Sequence, residues 1–185
     1  MSSVSKDPPM TLPGARPLSQ QRAPWYLVYT QPRQEKALAR ELVRLEAPYF
    51  LPLLTNIVTG GGRRRKHLNP LFPSYVFASL DGDKLRFVQD SSRVLQCLPV
   101  PEPQQAAFSA DIERVATVLR EHPHNEIRCA PAPPGDAVRI TAGGLRGVEG
   151  VGKWLNDRVI VWVGIAAINI GIEIELDRLD VEDIA

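Results

Sequence analysis

Apolar residues recur along this chain with two distinct periods. Residues 25–30, Trp-Tyr-Leu-Val-Tyr-Thr, are a run of aromatic and β-branched side chains that predicts a buried strand. Pro32 suits the first turn of a helix, where its missing N–H is not needed. Leu38, Leu42 and Leu45 follow at i, i+4 and i+7, which predicts an amphipathic helix over residues 32–46, ended by Pro48. Residues 49–58 and 68–80 read as strands, 83–89 as a short helix or turn, and 94–98 as a strand closed by Pro99, Pro101 and Pro103. Ser109 or Asp111 caps a further helix running to Glu121, with Ile112, Val115, Val118 and Leu119 as its inner face. The order β-α-β-β-α-β-α lets two helices cover one face of an antiparallel sheet.

Beyond Asp136 the texture changes. Short β-rich runs at 137–140, 148–155, 159–163 and 168–176 are separated by glycine or by Asn156-Asp157, a tight hairpin signal. Four or five short strands in fifty residues bury little unless they close, so a small barrel is expected. The proline-rich stretch between the two halves reads as a semi-stiff linker, and residues 1–24, without an apolar period, read as a flexible tail. The chain thus divides into a tail (1–24), a first domain (25–121), a linker (122–134) and a second domain (135–185).

Composition adds exclusions. With 44% hydrophobic and 23% charged residues, the 185-residue chain is globular in type and long enough for two small domains. The longest apolar stretch, 159–172, is broken by Gly164, Asn169 and Gly171 and is too short to span a bilayer. The N-terminus has no apolar core of a secretion signal. Cys97 and Cys129 have neither metal-type spacing nor the number for a disulfide framework. A cytoplasmic protein is expected.

The net charge of +1 hides an asymmetry: residues 1–78 hold 11 basic against 4 acidic residues, and residues 79–185 hold 11 against 17. Two faces of opposite sign fit different partners, one of them a polyanion, and fit two solvated surfaces as well. In the first helix Arg33, Lys36, Arg40 and Arg44 fall on one side, a stripe that suits either phosphates or water. Gly60-Gly61-Gly62-Arg63-Arg64-Arg65-Lys66 predicts an exposed, mobile, strongly basic loop between two strands. Its adjacent cations repel one another unless an anion neutralises them, so Arg63, Arg64, Arg65 and Lys66 are candidate nucleic-acid contacts.

No catalytic constellation emerges. There is no phosphate-binding glycine loop followed by Lys-Ser/Thr, no nucleophile elbow and no helical His pair of metalloprotease type. His122 and His124 flank a proline without a third ligand in sequence, so no metal site is expected. Cys97 falls in a buried strand, where a small inert apolar role is expected.

Three segments resemble the NusG family of transcription elongation factors, which includes specialised paralogues such as RfaH. Trp25-Tyr26-Leu27-Val28-Tyr29, leading into a basic amphipathic helix, is similar to the start of the family's N-terminal (NGN) domain. Pro70-Leu71-Phe72-Pro73-Ser74-Tyr75-Val76-Phe77 resembles its motif Phe-Pro-Gly-Tyr-Val, with Ser74 in place of glycine. Pro134-Gly135-Asp136-Ala137-Val138-Arg139-Ile140, then Gly143 and Gly147-Val148-Glu149-Gly150-Val151, resembles the KOW motif, with Gly150 at its central glycine. The likeness runs in order through residues 25–185.

This resemblance implies an α+β fold: an antiparallel sheet with helices (NGN, ferredoxin-like), followed by a small five-stranded, SH3-like barrel (KOW). It implies a monomer that is no enzyme and needs no cofactor. Such a factor binds the clamp helices of the RNA polymerase β′ subunit, reduces pausing and promotes processivity or antitermination. Tyr29, Phe72 and Tyr75 match groove positions of the family as aromatic anchors. Arg86 and Phe87 lie near the segment that reaches the opposite wall of the cleft, in the β subunit. Arg93 matches a position close to the non-template strand, and with the basic loop it would hold upstream or non-template DNA. Residues 163–167, Val-Gly-Ile-Ala-Ala, lack the bulky residue with which general members bind Rho or NusE, a ribosomal protein that doubles as a transcription factor. Neither partnership is expected here. Pro70-Leu71-Phe72-Pro73 and the basic hairpin lean towards a specialised paralogue, while the Gly, Val and Ile of the C-terminal half disfavour a helical refolding. The competing reading is an RNA-binding or ribosome-associated KOW protein.

Overall fold

The computed structural model describes residues 7–60 and 63–184, without the side chains of residues 58–60 and 63. In chain order the elements are β1 (Trp25–Thr30), α1 (Glu35–Arg44), β2 (Tyr49–Phe50), β3 (Leu53–Gly60), β4 (Arg63–Pro70), β5 (Tyr75–Ser79), α2 (Gly82–Asp90), β6 (Val94–Pro99) and α3 (Gln105–Glu121). There follow β7 (Arg128–Pro131), β8 (Asp136–Ile140), β9 (Glu149–Trp154), β10 (Arg158–Ile165), β11 (Ile170–Asp177) and β12 (Val181–Asp183). The chain is mixed α/β with antiparallel sheets, and it forms two compact units, Met1–Ser109 and Ala110–Ala185, the division falling within α3. Among the described residues no helix is long and apolar enough to cross a membrane.

In the first unit β2, β5, β1 and β6 pair in that order. Alternation along β1 and β5 gives the sheet two apolar faces. Val28, Val76 and Ala78 share one core with Leu38, Ala39 and Leu42 of α1 and Val88 of α2. Leu38 and Leu42 are completely buried, each contributing about 1.5–3 kcal/mol of apolar burial. The helix begins at Glu35 and not at Pro32, because Arg33 adopts a left-handed backbone (φ 67°) that no helical turn accommodates. It ends before Pro48. Glu46 is left-handed (φ 51°), its N–H donates to the Val43 carbonyl, and the Ala47 N–H donates to that of Leu42. That pair of bonds is a Schellman cap.

Other expectations shift for equally local reasons. The segment expected as one strand over 49–58 breaks at Leu51-Pro52, where the Leu51 N–H leaves the sheet for the Met10 carbonyl. The strand expected over 68–80 is interrupted by a turn at Phe72–Tyr75, in which Ser74 is left-handed (φ 66°). Of residues 1–24, expected as a flexible tail, 1–6 lie outside the described residues and 7–24 are tied to the domain: the Tyr49 hydroxyl donates to the Pro9 carbonyl at 2.6 Å, Lys36 pairs with Asp7 at 2.5 Å, and Leu18 is buried. Helix α3 starts four residues before Ser109, behind a short 3₁₀ turn at Glu102–Gln104.

In the second unit the strands run β12-β8-β9-β10-β11-β7 in one antiparallel sheet. Six strands replace the five expected. The sixth, β7, lies in the segment read as linker, where Cys129 and Ala130 pair with Ile172 and Gly171. Val138, Ile140, Val159, Val161, Val163, Ile172 and Ile174 are buried here.

A candidate aromatic docking face and a cationic ribbon

The second face of the first unit's sheet carries rings. Register places Leu27 opposite Phe77 and Tyr29 opposite Tyr75 across β1 and β5, and Phe50 opposite Phe77 across β2 and β5. Directly opposed residues share a face, so these side chains form one surface. Phe77 is its hub, with ring centroids 5.6 Å from Phe108, 6.2 Å from Phe50, 6.2 Å from Phe72 and 6.4 Å from Tyr75. Trp25 closes the buried end, 6.0 Å from Phe108. At the other end Tyr29 and Tyr75 lie 5.4 Å apart, Tyr29 38% exposed and Tyr75 half-buried.

The three rings singled out in the sequence therefore occupy different depths. Tyr29 and Tyr75 reach solvent, while Phe72 is 1% exposed and touches the group through Phe77. Leu98, which sequence reasoning missed, pairs with Leu27 across β1 and β6 and is 49% exposed. Only the register of β6 reveals it, and a single strand's pattern carries no register. The result is an open apolar surface on a rigid, aromatic-filled base.

Between β2 and β5 in sequence, β3 and β4 form a separate two-stranded ribbon with eight paired positions. Arg63, Arg64, Arg65 and Lys66 stand on β4, not in the loop expected from the three glycines. Their partners include Ile57, Val58 and Thr59, whose branched side chains favour strand over loop. Gly61 and Gly62 lie outside the described residues. Arg64 and Lys66 share one face, Arg65 and His67 the other, and all four are exposed. No residue of the ribbon is acidic, so its cations have no counter-charge within it.

The profile of the family described as "Transcription termination factor nusG" matches residues 23–115, half of the chain and the whole aromatic face. The chain belongs to the NusG family. No curated protein matches it significantly. NusG-family proteins are non-enzymatic transcription factors that act on RNA polymerase.

Within this NusG-family domain the remaining candidates separate. Arg86 and Phe87 are neighbours on α2 and both exposed, Phe87 at 44%. Arg93 is engaged inside the domain: its Nε donates to Glu41 Oε1 at 2.9 Å and its Nη1 to Gln34 Oε1 at 2.8 Å. Its carbonyl accepts from Gln31 N–H. It ties the α2–β6 connection to α1. On α1 itself Lys36 is paired with Asp7, and Arg44 is exposed.

The residues matched to the KOW motif line up on β8 and β9, beyond the matched segment. Gly135 precedes β8, Asp136 pairs with Gly152, and buried Val138 pairs with Gly150. A Cβ on Gly150 would lie 2.3 Å from the Trp162 carbonyl oxygen, so only glycine fits. Gly143 takes φ 67° in the β8–β9 connection. Arg139 is held between Glu149 and Glu182 on the flanking strands. In segment 163–167 Val163 and Ile165 are buried, and the exposed positions are Ala166 and Ala167.

Burial pushes the Cys97 thiol up to about 11 and also raises that of Cys129, the reverse of what a nucleophile needs. Among the described residues no three His, Cys, Asp or Glu side chains converge on a metal-sized site.

Proposed function

We propose that this NusG-family chain is an elongation factor that docks its aromatic face on the β′ clamp helices of RNA polymerase. The observation that carries the reading is the partly exposed pair Tyr29–Tyr75, extended by Leu98, on a sheet face of the family's own domain. Two amphipathic rings and a leucine on a rigid floor suit a protruding pair of helices, because ordering them on binding costs little entropy. Phe72 supports this surface from beneath. Arg86 and Phe87 extend the contact towards the opposite wall of the cleft. A protein bridging both walls binds the closed, elongating polymerase better than the paused form and shifts the population towards it.

The ribbon bearing Arg63, Arg64, Arg65 and Lys66 holds upstream or non-template DNA electrostatically, since a two-stranded ribbon can track a phosphate backbone. Arg93, spent on Glu41 and Gln34, braces the domain instead. Residues 25–121 form the docking domain and 135–185 a KOW barrel closed from the antiparallel sheet, with 122–134 connecting them. The small residues at 163–167 leave neither NusE nor Rho as its partner. The protein works as a cytoplasmic monomer and favours processivity or antitermination.

The reading is tested by transcription in vitro through a strong pause, with and without saturating protein. Shortened pause lifetimes support it, and unchanged lifetimes overturn it. Unchanged lifetimes with salt-sensitive RNA binding would instead favour an RNA-binding or ribosome-associated protein, for which the cationic ribbon is the supporting feature.

A further inference from the structure

Ser74 lies between buried Phe72 and open Tyr75, and its left-handed backbone (φ 66°) is unfavourable for an L-residue. Something must hold it there. Behind the turn lies a cavity of about 460 Å³ bordered by Arg33, Lys36, Asn69 and Pro73, so packing does not clamp that side. Hydrogen bonds do. The Ser74 N–H donates to Glu35 Oε1 at 2.7 Å, and its carbonyl accepts from the Thr30 N–H at 2.8 Å and the Thr30 hydroxyl at 3.4 Å. Both partners are buried, Glu35 at 4% exposure and Thr30 completely.

The two partners come from adjoining elements. Thr30 is the last residue of β1 and Glu35 the first of α1. The left-handed Arg33 between them turns the chain so that the carboxylate faces the 72–75 turn. At a helix N-terminus a carboxylate is favoured by the helix dipole, and a charge-assisted bond to an amide is stronger than a neutral one. Without it the Ser74 N–H would lose its protein acceptor, and nothing else would hold the turn on the side of the pocket. The cheapest relief is to rotate the Pro73–Ser74 peptide into the adjacent space, which displaces Tyr75.

We propose that Glu35 is a positioning residue for docking: its carboxylate fixes the turn at Ser74 and thereby sets the Tyr75 ring against Tyr29. This rests on the docking reading above. A core aliphatic residue would pack the same junction but could not accept from the Ser74 amide.

The test compares Glu35→Ala, Glu35→Gln, Glu35→Asp and the double variant Glu35→Ala/Ser74→Gly in the full chain. Two readouts are taken: NMR of the Ser74 amide exchange and the Tyr29–Tyr75 ring contact, and affinity for core RNA polymerase. Glu35→Gln, which keeps an acceptor oxygen in place, should stay near wild type in both. Glu35→Ala should speed Ser74 exchange, lose the ring contact and weaken polymerase binding about tenfold. Glu35→Asp, one methylene short, should follow it and serves if the alanine variant does not fold. Ser74→Gly added to Glu35→Ala should recover affinity only in part, because glycine relieves the left-handed strain but does not restore an acceptor for the amide. The inference is overturned if Glu35→Ala or Glu35→Asp keeps the Ser74 protection and the ring contact, or loses both at undiminished affinity. Should the wild-type chain not bind polymerase, the docking reading fails, and the NMR readout alone decides whether Glu35 sets Tyr75.

Discussion

Tyr29 and Tyr75 stand directly opposite each other on adjacent antiparallel strands, their ring centroids 5.4 Å apart at 56°. Tyr75 also stacks on Phe77, so of the two rings Tyr29 is the more exposed. Tyr29→Ala and Tyr75→Ala should each weaken polymerase binding by about 1–2 kcal/mol, roughly tenfold. Because the rings touch, the double variant should lose less than the sum, with a coupling of about 0.5–1.5 kcal/mol. Isothermal titration of the four proteins against core polymerase measures this.

Phe77 is different in kind. It contacts Phe50, Phe72, Tyr75 and Phe108 and is completely buried. Phe77→Ala should cost about 3–5 kcal/mol of stability, seen as a large fall in the urea midpoint. Tyr29→Ala, at an exposed site, should move that midpoint by less than about 1 kcal/mol. The contrast separates holding the fold from binding a partner.

Much of this was legible in the sequence, and the failures have local causes. Trp25 to Thr30 and the Leu38–Leu42 stripe announced β1 and α1, because burial on a strand or helix face leaves a period. The sequence pattern starts α1 at Pro32, three residues early, because nothing in an arginine side chain marks the left-handed backbone of Arg33. Phe72 and Tyr75 are both aromatic and three apart, yet one is buried and one open, since the turn at Ser74 resets the alternation between them. Leu98 joins the face only through its register with Leu27. Arg63 to Lys66 read as loop because glycine is loud, whereas the pairing with residues 57–60 that makes them strand is non-local. The prolines around Cys129 masked β7 in the same way.

The ribbon predicts a salt signature. Replacing Arg64, Arg65 and Lys66 with alanine should reduce the slope of log affinity for duplex DNA against log salt by roughly 0.9 for each phosphate contact removed. Polymerase binding through the aromatic face should be preserved in that variant. Filter binding over a salt series checks the first expectation, and a polymerase titration checks the second.

Cys97 carries a pH dependence. Burial raises its thiol from about 9 to about 11, so the folded state holds its proton more tightly than the unfolded one. The associated stability is fully present below about pH 9 and is lost as pH rises through about 11. Cys97→Ala should flatten that part of the stability–pH curve in urea titrations. At pH 8 alkylation should reach exposed Cys129 before Cys97.

The most direct test of the account is the affinity of core RNA polymerase for the wild-type chain and for Tyr29→Ala/Tyr75→Ala, measured at low and high salt. An apolar docking face predicts that wild-type binding survives the salt and that the double variant binds markedly more weakly at both concentrations. Binding that salt abolishes and that ignores the loss of both rings would contradict it.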